Sequence, residues 1–408
     1  MLALLRRRDF GLLWLGGFVS IAGDWVLRVA LPFFVYERTG STVATAGMIA
    51  AELAPGIVLG AAAGVFVDRW DRKRVLVLGN LLEAAAVALL LLVPGGGWLG
   101  LVYVVAVAQS AVSAFTAPAE SALLPALVPD QDLLPANALN ALNNRLGRLL
   151  GVPLGGALLG FLGLRSVVVI DCATFIAAAS LIAPIRAPSR AVAAVEDAAK
   201  AAGSVWSAFW REWIEGMAIV RRERTIAVIF FILGLMTFGG TMIDPLYVAW
   251  VRDVLNRGPQ MYSWLLTAHA ASGIVGTLLV GRFAARLSPR ALMGWTGVLA
   301  GAANALKWNL PSVPLALTLS VTVGVTSVAS AVGAETLAQR GVRGEYRGRV
   351  FGALNASGSL LSLLGAAVGG GLASVVGIVP MLNVSTALIV LAGLVVLHAF
   401  RADSPAPG

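Results

Sequence analysis

Twelve apolar runs, each long enough to cross a bilayer as a helix, constrain this chain more than any single motif in it. They lie near residues 10–36, 43–67, 74–94, 98–124, 136–163, 166–185, 225–251, 261–284, 290–309, 313–336, 346–373 and 377–400. A crossing takes about 20 apolar residues. Inside hydrocarbon every backbone N–H and C=O must be bonded within its own segment, so each run is expected to be a helix. The expected fold class is an all-α polytopic membrane protein of twelve transmembrane helices. Composition agrees: 58% of residues are hydrophobic and 12% charged, with a mean hydropathy of +0.86, beyond what a soluble domain of this length carries.

The net charge of +9 does not indicate nucleic acid as a partner, because the basic residues sit in short loops between apolar runs and form no continuous face. Anionic lipid headgroups account for them better. A single cysteine, Cys172, lies within an apolar run, and two histidines, His269 and His398, cannot supply a multi-histidine centre, so neither a metal nor a disulfide framework is expected. No nucleotide-binding loop, Rossmann glycine pattern, zinc-protease helix or nucleophile elbow occurs, and neither an enzyme nor a cofactor is expected. Arg6, Arg7 and Arg8 precede a first run too long for the core of a cleaved leader, which reads as an uncleaved span.

Very short connections such as 163–165 force antiparallel neighbours. With the N-terminus inside, Arg38, Arg165, Arg252, Arg257 and Lys307 fall in outer segments, Arg28, Arg145 and Arg148 fall within spans, and the remaining Lys and Arg are cytoplasmic. The positive-inside rule then puts both termini in the cytoplasm of an inner-membrane protein. The chain divides into a six-helix bundle over 1–185, a linker over 186–224 and a second bundle over 225–408. The linker sets Trp206, Phe209, Trp210, Trp213 and Met217 among charges, as an amphipathic helix either lying in the interface or packed on the bundle face. The halves repeat: Glu120, Asn140, Gly155 and Gly156 recur at Glu335, Asn355, Gly370 and Gly371, all 215 residues on. Repeated bundles around a central loop are how many transporters build a site between rocking halves.

Ionisable residues inside spans are functional candidates by default, since each costs on the order of 3 kcal/mol to insert. Asp24 lies midway along the first span with Arg28 one turn later, and Glu52 lies in the second span three residues before Pro55. Asp24 and Glu52 are the expected proton-titrating groups. Asn137, Asn140, Asn144 and Arg148 recur at helical spacing along the fifth span. With Arg28, Asn355 and Ser359 they are the expected pathway-lining residues. Glu83 reads equally as an interhelical hydrogen-bond partner; Asp171 and Asp244, nearer span ends, read as interfacial. Glu120 and Glu335 are expected to brace a gate, and His269 reads as packing.

One stretch is dense in charge: Gly64, then Asp68, Arg69, Asp71, Arg72, Lys73 and Arg74 at the end of the second run. It resembles the loop between the second and third helices of the major facilitator superfamily. With Pro118 to Pro129, Leu134 to Asn137 and Arg347 to Gly352 it is similar to the branch containing macrolide efflux pumps and the enterobactin exporter. The resemblance implies a twelve-helix alternating-access transporter, two pseudo-symmetric bundles of six, commonly a proton-coupled exporter working as a monomer. Gly147, Gly151, Pro153, Gly155 and Gly156 resemble the fifth-helix antiporter signature, with Val152 where glycine is frequent. The stretch from Tyr103 to Thr116 lacks the arginine that related pumps carry, and the second-half loop from Gly281 to Arg290 lacks the acid. The expected function is export of amphipathic small molecules of drug, macrolide or siderophore type, with protons and membrane lipids as further partners. The alternatives are a lysophospholipid or lipid-like flippase and a receptor-like protein that moves nothing. Asp68 is expected to act as a conformational latch toward the positive end of the eleventh helix, around 346–349, an interaction worth about 0.3–1 kcal/mol when exposed.

Overall fold

A computed structural model describes residues 2–93, 98–186, 210–283, 288–342 and 346–399. Among them there is no strand, and twelve long helices follow in order. These are α1 (Arg8–Thr39), α2 (Thr42–Arg69), α3 (Arg72–Ala88), α4 (Gly100–Leu127), α5 (Leu133–Leu162), α6 (Leu164–Ile182), α7 (Arg224–Ala249), α8 (Pro259–Phe283), α9 (Pro289–Asn309), α10 (Val313–Gly341), α11 (Arg347–Val376) and α12 (Ile378–Ala399). A shorter helix covers 210–222. α5 and α6 are joined by Gly163 alone, at φ +76°, and α11 and α12 by Gly377 alone, at φ +100°. Only glycine enters that backbone region without penalty, which is what lets one residue reverse the chain.

Eleven of these helices are long and apolar enough to cross a membrane. The exception is α9. Its sequence places Lys307 in an outer loop, whereas the structure buries it inside the helix at 4% exposure. The Lys307 ammonium lies 4.1 Å from the Trp308 ring centroid and 4.9 Å from that of Tyr247. Aromatic faces offset part of the cost of holding a cation there.

The chain forms two compact units, Met1–Val35 with Ala50–Phe209 and Tyr36–Ile49 with Trp210–Gly408. In the first, Phe10, Leu13, Val67, Leu76, Leu123 and Leu139 are among the residues of one buried cluster. α5 meets α1 through a glycine every fourth residue. A Cβ on Gly151 would lie 2.7 Å from Trp25 Cβ, and one on Gly155 would lie 2.5 Å from the Val26 carbonyl oxygen. α11 meets α7 in the same way, with Gly369 against the Met242 backbone. Sequence places the α1–α2 turn in the first bundle, but its hydrogen bonds lie in the second unit. There Thr42 Oγ1 donates to the Gly370 carbonyl at 2.6 Å, and the Tyr36 hydroxyl donates to Asp253.

The helix at 210–222 packs on the start of α11. Trp213 Nε1 donates to Ser357 Oγ at 3.1 Å, Glu215 pairs with Arg349 at 3.3 Å, and Val220 clusters with Ile226, Val342 and Val350. The described part of the linker thus packs on the bundle, while its Trp210 and Ile214 stay exposed; Trp206 and Phe209 lie outside the described residues.

Candidate functional site

In the first unit α1, α2 and α4 enclose a cavity of about 40 Å³ lined by Asp24, Arg28, Glu52, Gln109, Ser110 and Ser113 among Leu27, Leu31 and Ala106. Two carboxyls and a guanidinium thus converge from helices whose other faces are apolar. The cavity has room for a few water molecules. Arg28 also lies 5.4 Å over the Trp25 ring, and Arg148 of α5 approaches the same ring at 4.7 Å.

Two further acids lie nearby: Glu83, which makes the interhelical hydrogen bond read from its sequence position, and Asp171, against Gly23. Ser113, one of its lining residues, donates its hydroxyl to Glu83 Oε1 at 3.1 Å. Glu83 is 4% exposed. Asp171, expected near the interface, is fully buried, and its Oδ1 accepts from Thr174 Oγ1 at 3.3 Å. Its carboxylate sits against Gly23, beside Asp24, where an added Cβ would lie 2.5 Å from Asp171 Oδ1. A signal for Glu83 was available: Leu76, Gly79, Asn80, Glu83, Ala84 and Val87 form one buried face of α3 at helical spacing. The same signal marked Asp171, which falls with Val167, Val168, Phe175 and Ala178 on the buried face of α6.

Along α5, Asn137 and Asn144 are exposed and Asn140 half-buried, with Asn144 Nδ2 donating to the Asn140 carbonyl at 3.2 Å. The asparagines of the stripe are thus largely open, whereas Arg148, its last member, lies over Trp25 of α1. Asn143, absent from the stripe, is buried and donates to the Trp14 carbonyl at 2.8 Å, while Trp14 Nε1 donates to the Leu139 carbonyl at 2.9 Å. This exchange clamps α1 to α5.

The charged stretch at the α2–α3 turn anchors its own unit. Gly64, Asp68 and Arg69 complete α2, and Asp71 caps α3 by accepting from the Arg74 backbone N–H at 3.0 Å. Arg72 donates to the Ala122 carbonyl of α4 at 2.7 Å. Lys73 reaches the carbonyls of Ala183 and Ile185, at 3.3 and 3.2 Å, past the end of α6. Arg74 remains 72% exposed, 3.8 Å from Asp71.

The second unit holds a larger cavity of about 710 Å³ between α7, α10 and α11. Asn355, Ser359 and Glu335 line it. The repeat-related acids thus stand in different surroundings, because Glu120 packs where a Cβ on Gly17 of α1 would lie 3.4 Å from its Oε1.

A family profile, the Major Facilitator Superfamily, matches residues 13–249 and 229–408. The chain belongs to the Major Facilitator Superfamily. It is a multi-pass membrane transporter of small molecules and not an enzyme. It is 27% identical over 361 residues to macrolide efflux protein A of Streptococcus pyogenes, covering 88% of this chain and 86% of the relative. It is 25% identical over 396 residues to the multidrug efflux pump Tap of Mycobacterium bovis, covering 93% and 90%. Among solved structures, a bacterial homologue of the iron transporter ferroportin superposes with a TM-score of 0.75 at 17% identity, covering 96% of this chain and 98% of that one. The nucleoside transporter NupG superposes with a TM-score of 0.75 at 14% identity, covering 96% and 99%. At such identities the superpositions establish the fold.

Proposed function

We propose that this transporter is a proton-coupled exporter of amphipathic small molecules. The observation that carries the reading is the convergence of Asp24, Glu52 and Arg28 on one small polar cavity inside otherwise apolar helices. A carboxyl facing a few waters can take up a proton on one side of an alternating cycle and release it on the other. Two carboxyls sharing one guanidinium give that proton a choice of sites. Export, as opposed to uptake, is supported by similarity to efflux proteins over most of the chain. On this reading the α5 stripe, with Arg148, Asn355 and Ser359, lines the route. Glu120 braces the α1–α4 contact, and the protein works as a monomer among lipids with both termini cytoplasmic.

The test is uptake of a macrolide into everted membrane vesicles energised by respiration. A protonophore is expected to collapse uptake to the level of vesicles lacking the protein. Unchanged uptake under that treatment contradicts proton coupling.

The same proposal makes Asp68 a latch, biasing the equilibrium between two states by about 1 kcal/mol without locking it. Asp68→Asn is expected to lower transport severalfold while leaving the amount of protein in the membrane unchanged. Wild-type transport by that variant would reduce the stretch to the anchoring role of Arg72 and Lys73.

A further inference from the structure

We propose that the cavity of the second unit selects amphipathic organic cations, with Glu335 as their counter-ion. Among the described residues lining its 710 Å³, Glu335 is the one ionisable side chain. The remaining polar groups, such as Asn355, Ser357 and Ser359, are neutral, and Phe230 and Phe351 contribute aromatic faces. Arg340, the described basic residue nearest to Glu335 in the chain, is not among the lining residues, and the next two are engaged elsewhere. Arg347 donates to the carbonyls of Gln339 and Val342, at 3.2 and 3.4 Å, and Arg349 pairs with Glu215. Glu335 itself accepts from the neutral amide of Gln339 at 3.2 Å, a contact that leaves its charge in place.

A lone carboxylate on a wall of apolar and hydroxyl groups attracts a cation and repels an anion, and the effect grows as an entering apolar molecule displaces water from around it. The phenylalanine faces favour the same sign. Hydroxyl and amide groups without charge place little further demand on shape, which suits a broad class of ligands. The repeat-related Glu120 cannot duplicate this function, because it is packed against Gly17 of α1. The inference rests on reading the cavity as a transport site for amphipathic molecules. Binding measured without a gradient nevertheless separates the two: a protein that binds by charge but exports nothing refutes the export reading and leaves the role of Glu335 intact.

The experiment uses the full chain in detergent and three probes of similar size: tetraphenylphosphonium, the neutral triphenylphosphine oxide and tetraphenylborate. Wild type is expected to bind tetraphenylphosphonium about tenfold more tightly than the neutral probe, a difference of about 1.4 kcal/mol, and tetraphenylborate least. Glu335→Gln is expected to erase the preference for the cation while binding the neutral probe as wild type does, which also establishes that the variant is folded. Four results would each overturn the proposal. They are a wild type that binds no tetraphenylphosphonium, a wild type that binds tetraphenylborate as tightly, a Glu335→Gln variant that keeps the preference, and one that loses the neutral probe along with the cation.

Discussion

Asp24→Asn is expected to abolish uphill export while leaving substrate binding and substrate exchange across the membrane at wild-type levels. The amide fills the same space in the cavity and keeps hydrogen-bonding capacity, but it cannot carry a proton through the cycle. An exchange assay with substrate on both sides of a liposome needs no net proton movement and so reports the conformational cycle alone. Glu52→Gln is expected to do the same, less completely, since Asp24 remains. Glu83 lies one hydrogen bond from the cavity through Ser113. Glu83→Gln is therefore expected to slow proton-driven export without affecting exchange. Equal loss of exchange and export in Asp24→Asn would identify the residue as a fold or substrate contact and remove it from the coupling.

The second large effect concerns the helix contacts that hold each unit. Gly151→Ala and Gly155→Ala each place a methyl group against a backbone carbonyl oxygen of α1, that of Ala22 and that of Val26, which no rotamer change can move. Overpacking of this kind costs about 1–3 kcal/mol, so each variant is expected to lower the temperature of thermal aggregation in detergent by several degrees. Gly371→Ala provides the contrast: a Cβ there meets nothing within 4 Å, and in a helix interior alanine is favoured over glycine by about 1 kcal/mol. Its neighbour Gly370 would meet the Thr42 carbonyl oxygen at 2.6 Å. Adjacent glycines of α11 are thus expected to respond with opposite signs, measurable in the same melting series.

The helices were legible in the sequence because run length and apolarity are properties of a single segment, and a membrane leaves a helix as the only economical structure for such a segment. α9 marks where that logic weakens. Lys307 and Asn304 make the run less apolar, and only the aromatic cluster of Tyr247, Trp250 and Trp308, drawn from separate helices, explains how a lysine sits inside. The convergence of Asp24 and Glu52 was anticipated only as two separate candidates; that they share a cavity depends on how α1, α2 and α4 pack. Asp171 was misplaced for the same reason. Its depth along α6 suggested an interface, but burial is decided by α1 across from it at Gly23. The 215-residue repeat pointed to one shared task for Glu120 and Glu335, yet pseudo-symmetric positions keep their backbone setting more faithfully than their neighbours, and the two acids ended in different environments. Asn143 escaped notice because the stripe was drawn through its polar neighbours, although it falls with Leu139, Gly147 and Gly151 on the buried face of α5.

The central claim, that protons drive this transporter, is tested most directly by following protons themselves. Purified protein is reconstituted into liposomes holding a pH-sensitive dye, an imposed substrate gradient replaces the proton gradient as the source of energy, and internal pH is recorded. The account predicts a pH change that appears only with substrate, opposes the substrate flow in direction, and vanishes in Asp24→Asn although substrate exchange continues. Substrate flow with no accompanying pH change in the wild-type protein would contradict it.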